Sequence, residues 1–283
     1  MEYGFGWIPD YPDVRDYTKD SKEIKPALKS IGFFETTATG KVDLRQYFSP
    51  VESQLSLGSC TAHAGVGLLE YFENRNKKKY TDASRLFLYK VTRKLLGWTG
   101  DRGAFLRTTA GAMILFGVPP ESYYPYDVTK YDEEPSAFVY ALANNYSAYK
   151  YWKMDCDNKS PDKILDTIKN ALEVGLPCMC GFSVYDSLNQ GYISGKIPYP
   201  CPTDKFLGGH AIDVVGYDDS IEIKNLNSPL AKTVGALIIR NSWGTGFGEK
   251  GYGYLPYEYV LKGLAQDFWS LMSNGWVDID LFK

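Results

Sequence analysis

The chain has 283 residues, enough for one large domain or two lobes of ordinary size. Hydrophobic residues make up 44% and charged residues 23%, which supports a sizeable core and excludes wholesale disorder. With 31 Lys and Arg against 34 Asp and Glu the formal charge is −3, which argues against a nucleic-acid surface, and no stretch approaches the roughly 18 apolar residues of a membrane span.

In chain order, residues 1–41 read as a lead-in that carries Trp7, Pro9, Tyr11 and Pro12, then turns polar to Gly40. The pattern over about 42–155 is mainly helical. After Gly58-Ser59, Ala62, Val66, Leu69 and Phe72 recur at helix spacing, and Arg75 with Lys77, Lys78 and Lys79 suits that helix's C-terminal end. A second helix, with Asp82 as its cap, carries Leu86, Phe87, Tyr89 and Val91. A third runs from about Ala104 to Phe116 and stops at Gly117. The second half, 156–283, changes character. Ser160-Pro161 starts a helix with Ile164, Leu165, Ile168 and Leu172 inward, closed by Gly175. Strand-like runs follow at 178–184, 211–217, 234–240 and 251–255. Helices first and strands afterwards make the class α+β, with a cleft between two lobes as the default site.

Five cysteines leave at least one thiol free in any pairing scheme. Cys178 and Cys180 share one strand face and read as buried strand residues; pairing of Cys156 with Cys201 stays open. His63 and His210 are the only histidines, so imidazole chemistry must use one of them and a multi-histidine metal site is excluded.

Cys60 opens the first long helix, where unsatisfied N–H groups and the helix dipole favour thiolate, the nucleophile of acyl transfer. His210 heads a β-branched strand within Gly208-Gly209-His210-Ala211-Ile212-Asp213. The strand at 234–240 ends on Asn241-Ser242-Trp243-Gly244. Cys60 and His210 stand 150 positions apart, and Cys60 and Asn241 181 apart. The polar stretch 218–233 reads as an enlarged hairpin loop that accounts for the longer second spacing.

Together with Gln54 six positions before Cys60, Val42-Asp43-Leu44-Arg45 and Tyr124-Pro125-Tyr126, these motifs resemble the papain-like cysteine peptidases from about residue 42 to the C-terminus. The resemblance implies a two-lobe fold: a mainly helical lobe over about 42–155 and an antiparallel, β-barrel-like lobe over about 156–283. It implies Cys60 as nucleophile, His210 as its base, Asn241 as the residue that orients the imidazole and Gln54 as an oxyanion donor. Trp243 would shield the histidine–asparagine bond, and the backbone of Gly103 and Ala104 would pair with extended substrate. Phe105, Leu106 and Ala211 would border a subsite for an apolar side chain. No metal or organic cofactor is required. The partners implied are peptide or protein substrates, not nucleic acid or membrane, and a monomer is expected with the oligomeric state otherwise open.

The chain also departs from the family pattern. Leu57 stands where the family usually has Cys, so the disulfide anchored there is expected to be absent. Thr61 and His63 stand where aromatics are usual, and His63 reads as a buried histidine near the site rather than the base. A missing signal peptide and a missing disulfide suit a reducing cytoplasm, with secretion open if the sequence is trimmed. Two rival readings share the fold: an amidase or transamidase, and a catalytically dead binding scaffold, against which Cys60, His210 and Asn241 all argue. Gly6-Trp7-Ile8-Pro9-Asp10 and Arg15-Asp16-Tyr17 resemble a lead-in of prokaryotic members. Pro9 and Pro12 hold that segment extended, which fits either an inhibitory segment across the cleft or a structural strap outside the lobes.

Overall fold

The structure, a computed structural model, describes residues 4–146, 150–156, 160–228 and 232–272. The chain enters extended and forms α1 (Lys25–Ser30), started by Pro26 in its first turn. Ile24, Leu28 and Phe33 around this helix are buried in the main core. The short strand β1 (Lys41–Asp43) follows. Next comes the central helix α2 (Cys60–Lys77), whose first nine residues are all buried and which ends on Lys78 in the left-handed conformation.

Helix α3 (Arg85–Leu95) is capped by Ser84, whose Oγ accepts from the Phe87 N–H at 3.1 Å. Asp82, the cap expected from sequence, instead pairs with Arg85 at 3.1 Å. Helix α4 (Leu106–Leu115) starts two residues later than expected, because Ala104 is committed to backbone pairing with residues 6–8. The remaining elements are α5 (Ala137–Ala143), β2 (Lys150–Lys153), α6 (Pro161–Glu173), β3 (Cys178–Tyr185), α7 (Leu188–Gly191), β4 (Phe206–Lys224), β5 (Lys232–Arg240), β6 (Tyr252–Pro256), α8 (Tyr257–Leu261) and β7 (Ala265–Met272).

The strands form one antiparallel sheet in the order β2-β7-β3-β4-β5-β6, with β1 paired to β4. The sheet is antiparallel as expected but not closed into a barrel: β2 and β6 stand at opposite ends of the order. Two strands from the half expected to be helical, β1 and β2, join it. The stretch expected as an enlarged loop is mostly strand, since Glu222, Ile223 and Lys224 pair with Val234, Thr233 and Lys232 beyond an irregularity. Residues 229–231 of that stretch lie outside the described residues. Strand β7 escaped the pattern because Asp267, buried and at φ 59°, interrupts its apolar run.

Cys178 and Cys180 lie buried on β3. Cys156 and Cys201 are not joined: the Cys156 thiol bonds the Lys153 carbonyl at 3.5 Å, and Cys201 lies 3.1 Å from Thr203 Oγ1. Among the described residues no helix is long and apolar enough to cross a membrane.

Candidate active site

The first residue of α2 meets β4 at the centre of the molecule. Cys60 is buried, and the backbone N–H groups of Ala211 on β4, Gly6, Thr61 and Cys60 itself all draw its thiol pKa down. Burial is the larger influence and pushes the thiol up to about 11. His210, the residue before Ala211, lies on the same strand with its Nε2 2.8 Å from Asn241 Oδ1. That oxygen also accepts the Ser242 backbone N–H at 2.7 Å, so it is the oxygen end of the amide and Nε2 must donate to it. The other ring nitrogen, Nδ1, is buried and has no hydrogen-bond partner among the described residues, leaving its lone pair free for a proton.

Trp243 stacks on the His210 ring at 4.6 Å and 25°, while Phe182 meets it edge-on from β3. Burial drives His210 down to about 4 against the opposing pull of its bond to Asn241. The covered site therefore holds a neutral thiol and a neutral imidazole. The helix end alone favours thiolate, and desolvation outweighs it here.

Gln54 is locked from both ends of its side chain. Its Oε1 accepts the Ser242 hydroxyl at 2.6 Å, which turns Nε2 outward to donate to the Gly4 carbonyl at 2.8 Å and the Leu57 carbonyl at 2.7 Å. Its own carbonyl accepts the Tyr126 hydroxyl at 2.8 Å, and Tyr126 Oη also lies 2.6 Å from Ser59 Oγ. His63 belongs to this second network. Its Nδ1 sits 3.1 Å from the Ser59 carbonyl and its ring packs edge-on to Tyr126. Burial, with Arg85 adding, pushes His63 down to about 3.

The segment from Gly4 to Asp10 occupies the cleft. The Ala104 N–H donates to the Gly6 carbonyl at 2.8 Å, and the Ile8 N–H donates to the Ala104 carbonyl at 3.1 Å, making Trp7 and Ala104 a parallel pair. On the other wall the Trp7 N–H donates to the Gly209 carbonyl at 3.0 Å. The Trp7 indole lies where side chains on β3 and β4 would otherwise stand: a Cβ on Gly181 would come within 1.9 Å of it. Phe5 lies edge-on to His210 and to Trp243, 6.3 Å from each.

A buried charged cluster anchors the far end of the segment. Asp267 Oδ2 accepts from Trp7 Nε1 at 3.1 Å and from the Asp10 N–H at 2.8 Å, and Oδ1 pairs with Lys153 at 2.9 Å. Asp10 accepts from Trp269 Nε1 at 2.9 Å and from the Arg107 N–H at 3.2 Å. Arg107 in turn holds Asp16 through two bonds of 2.7 and 2.6 Å.

The structure brings Cys60, His210, Asn241, Gln54, Ala211 and Trp243 together. Gly103 and Ala104 line the cleft opposite. Phe105 packs against Trp98 and Tyr11, and Leu106 is buried in the core at the start of α4. Sequence reasoning did not find Ser242 as the partner of Gln54, Tyr126 as the link to Ser59, or Asp267. The available signal for the cleft segment was Gly4 and Gly6 beside Trp7, small residues where a chain passes a narrow place. Among the described residues no group of three or more His, Cys, Asp or Glu side chains is placed to hold a metal ion.

A family model described as papain family cysteine protease matches residues 38–267. An uncharacterized peptidase C1-like protein of Acanthamoeba polyphaga mimivirus is 32% identical over 279 residues, covering 94% of this chain and 85% of that one. Cysteine proteinase 2 of Entamoeba histolytica is 26% identical over 253 residues, covering 87% of this chain and 73% of that one. Among solved structures, xylellain, a cysteine protease from Xylella fastidiosa, superposes with a TM-score of 0.75 at 32% identity, covering 96% of this chain and 97% of that one.

Proposed function

The chain belongs to the papain family of cysteine proteases, and from that premise we propose that it cleaves peptide bonds through Cys60, His210 and Asn241, with residues 4–10 as a built-in cover of the site. The observation that carries the reading is the His210 ring, held at Nε2 by Asn241 under Trp243, with Nδ1 unbonded and the next residue's N–H directed at the Cys60 thiol.

In an opened cleft, His210 Nδ1 takes the thiol proton and the thiolate attacks the scissile carbonyl. The oxyanion forms where the Gly4 carbonyl now sits, in reach of Gln54 Nε2, with the Cys60 N–H as the second donor; losing one such donor costs about 10²–10³ in rate. His210 then gives its proton to the departing amine, and the same imidazole activates the water that hydrolyses the thioester. Asn241 holds the ring in the tautomer that makes Nδ1 the acceptor.

The cover works by occupying the oxyanion donor, the thiol and the backbone wall of this apparatus. The Gly4 carbonyl takes the Gln54 donor, the Gly6 N–H faces the thiol, and Ala104 is used by Gly6 and Ile8. Because Trp7 pairs with Ala104 in parallel, the segment's direction relative to that wall is fixed by its own hydrogen bonds. Around α1, Ile24, Leu28 and Phe33 are part of the core, so the same lead-in is strap in one portion and cover in the other.

The test uses the full chain carrying Trp7→Ala, which loosens the cover, with a fluorogenic peptide and iodoacetamide labelling read by mass spectrometry. Cys60 should take label in this parent, whatever the partly exposed Cys201 takes, and adding Cys60→Ala should abolish turnover while the chain still folds. Turnover by the Cys60→Ala chain, or a parent that turns over peptide with Cys60 unlabelled, removes the assignment.

A further inference from the structure

Leu57 leaves the approach to Cys60 without the covalent anchor usual in the family, and a different device occupies that place. The Asp101 carboxylate straddles the Gly58 N–H, with Oδ1 at 2.9 Å and Oδ2 at 3.1 Å. The Tyr89 hydroxyl donates to Asp101 Oδ1 and accepts from the Gly103 N–H at 3.1 Å. One carboxylate and one phenol thus join the residue two before the thiol to the residue one before Ala104. Tyr89 is itself fixed: it is buried on α3, and the Arg93 guanidinium lies 4.1 Å from its ring centre. Arg93 also donates to the Gly100 carbonyl at 2.6 Å, bracing the loop that carries Asp101.

The gap held in this way is narrow. A Cβ on Gly6 would stand 1.8 Å from the Gly58 carbonyl oxygen, and a Cβ on Gly103 would stand 2.1 Å from the Gly6 oxygen. Bare backbone fits between the two walls and little else does. Gly103 also sits at φ +74°, a conformation that suits glycine.

We infer that Asp101 and Tyr89 are positioning residues that set the spacing of the cleft at the nucleophile. They tie the loop that delivers Ser59 and Cys60 to the backbone at Gly103 and Ala104, so that the thiol and the backbone aligning the substrate stay in register. The inference rests on the reading of Cys60 and Ala104 given above. Its physical logic is that a charged acceptor on a backbone N–H is a short, directional link, replacing a covalent tie with one that solvent can reach. Loss of the link lets two walls move that must agree to within a fraction of an ångström for attack.

The experiment adds Asp101→Ala, Asp101→Asn or Tyr89→Phe to the full chain carrying Trp7→Ala, which loosens the cover. Asp101→Ala should lower kcat by about 10–100-fold, the scale of a 1 Å misplacement. KM should change less. Alkylation of Cys60 by iodoacetamide, which needs no alignment with Ala104, should stay within about twofold of its parent. Asp101→Asn keeps one acceptor for Gly58 and should recover part of kcat. Tyr89→Phe should give a smaller loss, and it carries the test with Asp101→Asn if the alanine variant does not fold.

Unchanged kcat in Asp101→Ala overturns the inference, and so does a joint fall of turnover, alkylation and melting temperature. A parent that cleaves no peptide is a failure of the peptidase reading instead. Amide hydrogen exchange on the otherwise wild-type chain then decides. Protection at Gly58 lost in Asp101→Ala, and at Gly103 lost in Tyr89→Phe, upholds the clamp; unprotected or unaffected amides overturn it.

Discussion

Trp7→Ala should turn a covered enzyme into an open one, and its size can be worked from the packing. Trp7 is 7% exposed, seated on the β3 and β4 glycines with its indole N–H on Asp267. Burying an aromatic of this kind removes about 150–250 Å² from water, worth about 4–6 kcal/mol at ~25 cal/mol/Å². Measured truncations of buried aromatics to alanine cost about 3–5 kcal/mol. Each ~1.4 kcal/mol is tenfold in an equilibrium, so the ~3–5 kcal/mol of truncation should weaken seating of residues 4–10 by about 10² to 4×10³-fold.

The assay is the initial rate of peptide turnover by full-length variant and wild type at one pH, beside the melting temperature of each. The rate should rise toward the weakening of the seat, levelling off once the open form dominates. A folded Trp7→Ala chain that is no faster than wild type refutes the cover. A point change is the right perturbation because deleting the whole lead-in would also pull Ile24, Leu28 and Phe33 out of the core, lowering stability whatever the cleft does.

His210→Ala should cost at least about 10³ in turnover, near the upper range for a lost general base. His63→Phe should fold and stay within a few-fold of wild type, since His63 serves Ser59 and Tyr126; a dead His63→Phe beside an active His210→Ala reverses the assignment. The cover should also answer to pH. Burial, with the Asp267 carboxylate adding, raises Asp10 to about 7 against its usual 3.8. The seated form therefore binds more protons between these values than the released form, so seating is strongest in acid and weakens as pH rises through about 7. The wild-type rate divided by the Trp7→Ala rate should climb between pH 4 and 7, and Asp10→Asn should flatten the climb. A ratio that falls as pH rises contradicts the sign.

The elements that carry the candidate site were legible because their ends are marked by local chemistry, while the roles of their residues came from the resemblance. Cys60 at a helix start after Gly58-Ser59, His210 heading a β-branched strand, and Asn241 at a strand end each follow from propensity and spacing within about ten residues. The residues that were not legible act across the chain. Ser242 orients Gln54 from 188 positions away, and Asp267 receives Trp7 from 260 away. No periodicity encodes such a pairing. The fold shows the same division. Helices α2, α3 and α6 follow their apolar spacing, whereas β7 is hidden by a buried Asp267 whose partners lie on other elements.

Burial of the thiol and of the imidazole has a consequence for how the cover responds to its surroundings. With Cys60 pushed up to about 11 and His210 down to about 4, the covered pair carries one proton, on sulfur, across the whole range between. A thiolate–imidazolium pair in an opened cleft carries one proton too, on nitrogen. Opening moves that proton from Cys60 to His210 without exchanging any with solvent, so the pair adds no pH dependence to seating near neutrality. Whatever pH dependence the cover has must come from groups that gain or lose a proton when residues 4–10 leave. Asp10 is such a group, since release returns it to water while Asp267, Lys153 and Arg107 remain on the body. Asp155, held up to about 6 by burial, bonds the backbone of β7 rather than the segment and so keeps its partners on release. The wild-type to Trp7→Ala ratio thus reads the groups that anchor the segment, because the chemistry of the pair divides out of it, and Asp10→Asn assigns the share that belongs to Asp10.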